Sequence, residues 1–471
     1  MNRAVTVPLL ALAVAGCATP VPRALSPHLM PGSFTGPLPA VAPTWPEASW
    51  WQGFGDSELT GLVARAQADN RDIAAAAARV LQARAQAKIQ RSPLFPQLAV
   101  QADHVNGGCR GGSCADFSDT RAYGLTFNAS YELDFWGLAR DNLRAANEQL
   151  KSARFAQQSI ALTITANVAN EYLNVLAVRD RIAIANENIA AINSITDVIE
   201  LRVKAGATSR LDLAREHAQV EDVEARLPRL QILERQALFS LAVLLGEAPE
   251  GFDISAQNLA GILSPVIGAG LPSELLLRRP DIAQAEANLA SAHANVDAAR
   301  AAFLPQISLT GQGGFVGAAL NALWQGSNFG YRYGVNLLQT IFDGGALTGQ
   351  KQLAQALELQ LVANYQGAVL NAYADVETAL VEVASTREAE DHLRREVAAA
   401  REAFQISQLQ YRQGAADLLT VLQAQQTLFS AQDQLAQTTL ANRQAAVHLY
   451  EALGGGWSEN PQDRTQPTPP G

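Results

Sequence analysis

Between Tyr123 and Phe135 every odd position is apolar or aromatic: Tyr123, Leu125, Phe127, Ala129, Tyr131, Leu133 and Phe135. Gly124, Thr126, Asn128, Ser130, Glu132 and Asp134 lie between them. Strict period-two alternation gives an extended strand one apolar and one polar face. Soluble strands usually stop at about five or six residues. Strands of about ten residues with this alternation are the mark of an outer-membrane barrel. A weaker partner runs over 97–106. A second pair follows: Ile307, Leu309 and Phe315 alternate with Gln306, Ser308, Thr310 and Gln312. Then Phe329, Tyr331, Tyr333, Val335, Leu337 and Ile341 alternate with Gly330, Arg332, Gly334, Asn336 and Thr340. A soluble sandwich would also use such strands. In lipid, however, four strands leave open edges that cannot persist. Three chains pooling their strands would supply twelve, within the known barrel range.

The helical pattern is equally unusual. A lead-in helix is predicted from Ser57 to Gln90, ended by Pro93 and Pro96. No Pro or Gly falls between Leu138 and Ala205, so one helix of about 100 Å is predicted at about 1.5 Å per residue. A second is predicted over 347–413, with Gly367 interrupting it. Ile182, Ile189, Ile192, Ile199 and Val203 keep near-heptad spacing, which suits coiled-coil packing. Tight turns at 205–212 and 413–420 send each helix back, to Leu245 and Leu453, with Pro228 a predicted kink in the first return.

The two halves repeat each other. The stretch from Asp72 to Leu98 aligns without a gap on that from Asp281 to Ile307. Further on, Phe135-Trp136-Gly137 answers Phe342-Asp343-Gly344, Gly206 answers Gly414, and Leu245-Gly246 answers Leu453-Gly454. A period this long makes each copy a whole unit of helix, two strands and two long helices.

Composition narrows the function. The formal charge of −10 argues against nucleic acid, whose phosphates need a basic face. Met1 to Cys17 reads as a signal peptide. Its Val14-Ala15-Gly16-Cys17 resembles the bacterial lipobox, which lipidates the cysteine; an ordinary secretory signal is the alternative. Cys109 and Cys114 stand in a Gly-rich loop with His104 as the nearest histidine, too few ligands for a metal site. In an exported chain they read as a disulfide closing a small loop, with free thiols the alternative. The six histidines are scattered, and no catalytic motif is present. No enzyme, cofactor or metal is expected.

Several motifs resemble the outer membrane factors of tripartite export systems, the TolC/OprM-type channels. They are Glu132-Leu133-Asp134-Phe135-Trp136-Gly137, Ser209-x-Leu211-Asp212-Leu213, Arg279-Pro280-Asp281-Ile282, Phe303-Leu304-Pro305, Phe342-Asp343-Gly344-Gly345 and Leu453-Gly454-Gly455-Gly456-Trp457. The resemblance spans Trp50 to Trp457, and the lipobox points to the NodT-like lipoprotein branch. It implies an α+β homotrimer, with long helical hairpins forming a periplasmic α-barrel and four strands per chain entering a twelve-stranded transmembrane barrel. It also implies a periplasmic adaptor, an inner-membrane pump and outer membrane lipid as partners. Alternatives are a periplasmic adaptor lipoprotein and the duct of a type I protein secretion system.

The resulting division is a signal peptide at 1–16 and a lipid-anchored tether at 17–49. The first copy has a lead-in helix at 50–95, a barrel hairpin at 96–136 and a helical hairpin at 137–246. An equatorial segment covers 247–271. The second copy has a lead-in helix at 272–304, a hairpin at 305–343 and a helical hairpin at 344–453. The tail, 454–471, is equatorial and then disordered.

The resemblance further implies a gate at the helix tips, with Asp417, Asp212, Arg210 and Arg412 as candidates and Arg202 and Lys204 close by. Some family members carry their gating carboxylate where this chain has Ala416. These charges also fit plain helix capping. Gly206 and Gly414 would supply the turn conformation. Asn128, Glu132, Asp134, Arg332 and Asn336 would face the pore.

Overall fold

The computed structural model describes residues 32–37, 45–107, 120–265, 268, 270 and 272–457. Cys17, Cys109 and Cys114 lie outside the described residues, as do the signal and most of the tether. The chain is an α+β fold built twice, as expected. The first copy contains α1 (Ser57–Asp69), α2 (Arg71–Arg91), β1 (Gln97–Gly107), β2 (Thr120–Leu133), α3 (Leu138–Lys204), α4 (Arg210–Glu224) and α5 (Leu227–Leu244). The second contains α6 (Pro280–Ala301), β3 (Gln306–Gly317), β4 (Phe329–Leu338), α7 (Ala346–Arg412) and α8 (Leu418–Ala452).

The lead-in helix of the first copy is broken where one continuous helix was predicted. Asn70 is extended (φ −62°, ψ 132°), and its side-chain oxygen accepts from the N–H groups of Asp72 and Ile73. Its Nδ2 donates to the Leu244 carbonyl at 2.8 Å. Capping plus this distant contact outweighs helix continuation. The first return helix also divides, into α4 and α5. Pro228 lacks an N–H and sits in the first turn of α5, so the ladder fails just before it. By contrast, Gly367 leaves α7 uninterrupted over 67 residues. One glycine costs about 1 kcal/mol, too little to break a helix packed along its length.

The two predicted hairpins are one sheet. The order is β1-β2-β3-β4, antiparallel throughout. Register brings the apolar positions of all four strands onto one face. Val100 pairs with Phe127, Phe127 with Gly313, and Gly313 with Tyr331. One row further, Leu98, Ala129, Gly311 and Tyr333 line up. Leu98 is 75% exposed and Tyr333 83%. The opposite face carries Gln101, Asp103, Thr126, Asn128, Gln312, Arg332 and Asn336, with Arg332 donating to Gln312 at 2.9 Å. β1 and β4 are both open edges.

Capping residues turn each strand into its long helix. Gly137 (φ 87°) and Gly345 (φ 95°) are both left-handed at the helix start. Asp134 accepts from the N–H groups of Ala139 and Arg140, and Asp343 accepts from those of Gly345 and Leu347. The structural match is therefore Gly137 with Gly345, one residue beyond the sequence pairing.

The main core lies about midway along α3 and α7. There α1, α3, α5, α7 and α8 bury Leu59, Tyr172, Leu176, Leu241, Val376 and Val447. Trp50 stacks on Tyr450 with centroids 5.0 Å apart. Around this core the 247–265 segment is tied down: Glu58 accepts from the N–H groups of Ser255 and Ala256, and Arg179 donates to the Ile254 and Ala256 carbonyls. The chain closes at Gly454 (φ 88°), where a Cβ would collide with the Arg278 carbonyl. Gly454→Ala is expected to cost about 2 kcal/mol, seen as a lower thermal midpoint by differential scanning fluorimetry. An unchanged midpoint would contradict this packing.

Candidate functional site: a sheet at one end, helix tips at the other

α3 leaves the sheet at Leu138 and reaches its tip at Lys204, a helix of 67 residues. The two ends therefore stand about 100 Å apart. At the sheet end, exposed aromatics mark the strand–helix junctions: Phe95, Phe135, Trp136, Phe303 and Phe342. The Trp136 indole donates to the Pro305 carbonyl at 2.7 Å, tying the two copies together. An aromatic row below an apolar band is how a barrel meets the membrane interface. Among the described residues no helix is long and apolar enough to cross a membrane.

At the other end the two tips are built alike. Gly206 (φ 72°) follows α3 and Gly414 (φ 74°) follows α7. Ala207 donates back to the Arg202 carbonyl at 2.8 Å, and Ala415 to that of Gln410 at 2.8 Å. These bonds satisfy the last carbonyls of each helix. Ser209 and Asp212 then form a reciprocal capping box at the start of α4. Asp417 caps α8, accepting from the Thr420 N–H at 2.9 Å and its hydroxyl at 2.6 Å. Hydroxyls from Ser209 and Thr208 hold the Asp212 carboxyl below the usual carboxylate range. The Thr420 hydroxyl and N–H do the same for Asp417, with the nearby Asp212 charge working against them. A lowered pKa means capping is present above the ordinary value of 3.8 and is lost only as pH falls below it. Both caps are therefore constant between pH 5 and 8.

The gate candidates thus fall into two groups. Asp212 and Asp417 come together near the two turns, each engaged by its own helix. Arg210 and Arg412 make no ion pair among the described residues. At the tips the hairpins are tied by Arg202, which sequence pattern placed near the tip without assigning it a partner. Its Nη2 donates to the Tyr411 and Arg412 carbonyls, each at 3.1 Å. Its guanidinium lies 4.5 Å from the Tyr411 ring centroid. The negative end of α7 and the aromatic face both favour a cation there. Ile195, Ile199, Phe404, Leu418 and Val421 form an apolar cluster above it. Carbonyl acceptors at a helix end leave no side-chain signature, which is why the pattern could not pair Arg202.

Ser209→Ala is expected to cost about 1 kcal/mol of capping. Amide exchange in the first turn of α4 should then quicken about fivefold. Unchanged exchange would mean that the box contributes nothing.

An open-edged sheet with an apolar outer face, feeding two helical hairpins capped by tight tips, defines the subunit of an outer-membrane channel. The chain belongs to the outer membrane efflux protein family, whose pattern it matches over 62–247 and 271–455, one match in each copy. It is 38% identical to the pyoverdine export outer membrane protein OpmQ of Pseudomonas aeruginosa, over 88% of each chain. The cation efflux system protein CusC of Escherichia coli is 30% identical over 95% of this chain and 98% of its own. The solved outer-membrane channel OprN superposes with a TM-score of 0.84 at 28% identity, covering 91% of this chain and 98% of its own. The protein is an outer membrane efflux channel and not an enzyme.

Proposed function

We propose that three copies of this chain close the sheet edges into one twelve-stranded barrel, and that the helical hairpins line a tunnel ending at the tips. The carrying observation is the register: one continuous apolar face flanked by two unpaired edges, a surface that only lipid and neighbouring strands can satisfy. The channel is the passive segment of a tripartite system, with a periplasmic adaptor and an inner-membrane pump at the tip end. Cys17 anchors the chain in outer membrane lipid, and Cys109 and Cys114 close a loop between β1 and β2 by a disulfide.

The tips form the gate. Arg202 bolts the first hairpin to the second, and Asp212, Asp417, Arg210 and Arg412 present charge around the opening. Adaptor contact opens it by drawing the tips apart. Cargo is a small molecule. One relative exports pyoverdine and another cations, cargoes of unlike chemistry that favour selection by the pump over selection by this wall. The test is co-purification from cells: the full-length protein should run as an SDS-resistant trimer in the outer-membrane fraction. Recovery as a monomer would overturn the assembly. Loss of palmitate labelling in Cys17→Ser, and of the disulfide in Cys109→Ser, checks the two cysteine assignments.

A further inference from the structure

Glu216 is the one charged residue in the apolar stripe of α4. Leu213, Glu216, Val220 and Val223 follow the 3-4-3 spacing of a packing seam, and Glu216 and Val223 are fully buried. Neither carboxylate oxygen of Glu216 has a hydrogen-bond partner. Desolvation penalises an unpaired buried carboxylate, so in this place the side chain favours its protonated form. Burial pushes its carboxyl up to about 7.

α4 is also mechanically distinct. It lies against α3, begins after the left-handed Gly206 and ends at the break before Pro228. α8, its counterpart in the second copy, runs unbroken over 35 residues. At the break, Arg226 pairs with Asp222 at 2.6 Å and lies 5.3 Å from the Phe429 ring centroid. α4 can therefore pivot while α5 stays fixed to the main core through Leu238 and Leu241.

We propose that α4 is a hinged leaf of the entrance, pivoting at Gly206 and at the Pro228 break, and that ionisation of Glu216 releases it from α3. The inference rests on the tip-gate reading and assigns it a proton-sensitive element. No charged group of the surrounding elements pairs with the Glu216 carboxyl, whose shift has burial as its one cause. On α3, Glu200 lies 3.7 Å from Lys204, Arg202 is held by the α7 carbonyls, and Asp197 is exposed. On α4 itself, Asp212 caps the helix, and Arg215, His217 and Glu221 lie off the buried stripe. Beyond it, α5 contributes Arg229, α7 Arg412 and α8 Asp417. None of them hydrogen-bonds Glu216.

The direction follows from linkage. Swung into water, the carboxyl returns to its ordinary value of 4.5, while packed it titrates near 7. Packing is unpenalised below about 4.5, weakens as pH rises between these values, and stays weakened above 7. Acid closes the leaf and neutral pH loosens it.

The test is conductance of purified full-length protein in planar lipid bilayers from pH 5 to 8. The wild type should rise at least threefold with a midpoint near 7. Glu216→Gln, which keeps the shape and cannot ionise, should stay flat at the acid level. His217→Asn should keep the wild-type profile, and Pro228→Ala should stay low at pH 8. Spin labels at Ser194 and His217, in a Cys109→Ser/Cys114→Ser background, should show a narrow distance distribution at pH 5 and a broad one at pH 8. A flat wild-type profile, or Glu216→Gln with the wild-type profile, overturns the leaf. If Arg202→Ala raises conductance while Glu216→Gln titrates like wild type, the gate stands and the leaf alone fails. If neither variant alters conductance, the gate fails with it.

Discussion

Phe127→Lys is expected to abolish assembly in the outer membrane. Phe127 lies on the apolar face, paired with Val100 and Gly313, and is half exposed in the single chain. A lysine near the middle of a lipid-facing strand costs about 2–4 kcal/mol, and a three-chain barrel would carry it three times. The summed cost rivals the whole stability of an ordinary domain, about 5–15 kcal/mol. The adjacent Asn128→Lys is the control, because Asn128 lies on the polar face, where a charge meets water. The pair separates a barrel from a soluble sheet. Heat-modifiable trimer on SDS gels should vanish for Phe127→Lys and persist for Asn128→Lys. Equal loss in both, or in neither, would contradict the assignment of faces.

The second large effect belongs to Arg202. Removing it deletes two charge-assisted hydrogen bonds to the end of α7 and a cation–π contact with Tyr411. Hydrogen bonds to charged groups contribute about 1.5–3 kcal/mol when unscreened, and the cation–π contact about 0.5–1. Discounting for partial exposure leaves about 2 kcal/mol, which shifts a closed-to-open equilibrium about thirtyfold. Arg202→Ala should therefore raise single-channel open probability by about that factor. Arg202→Lys should fall between, because an ammonium keeps the charge but lacks the planar fork that reaches two carbonyls. Asp417→Asn should change it far less, since the amide oxygen still caps α8. Wild-type gating in Arg202→Ala would move the gate away from this tie.

Particular residues explain what could be read before the structure. The alternation from Tyr123 to Leu133 was legible because period two belongs to the strand alone. That β2 would pair with β3 was not, because pairing between copies has no local signal. The length of α3 was legible from the absence of Pro and Gly. The break at Asn70 was hidden, because its decisive bond goes to the Leu244 carbonyl, far away in sequence. Pro228 announced its kink, whereas the α4 leaf required Glu216 to be seen buried on its stripe. The stripe itself carried that signal: an acid at a seam position is an anomaly in any helical hairpin. At the tips, Gly206 and Gly414 were readable from turn chemistry. Asp212 and Asp417 were readable as charges near the tips, with capping among the readings, but the partners of their capping bonds needed backbone geometry. Cys17, Cys109 and Cys114 rest on sequence chemistry alone.

On the proposed reading this chain forms a water-filled conduit through the outer membrane, closed at its helix tips. Reconstituting purified full-length Arg202→Ala protein into planar bilayers tests it most directly. Discrete, stable conductance steps, larger and more frequent than those of the wild type, are expected. Absence of any steps from protein that is folded and inserted would contradict it.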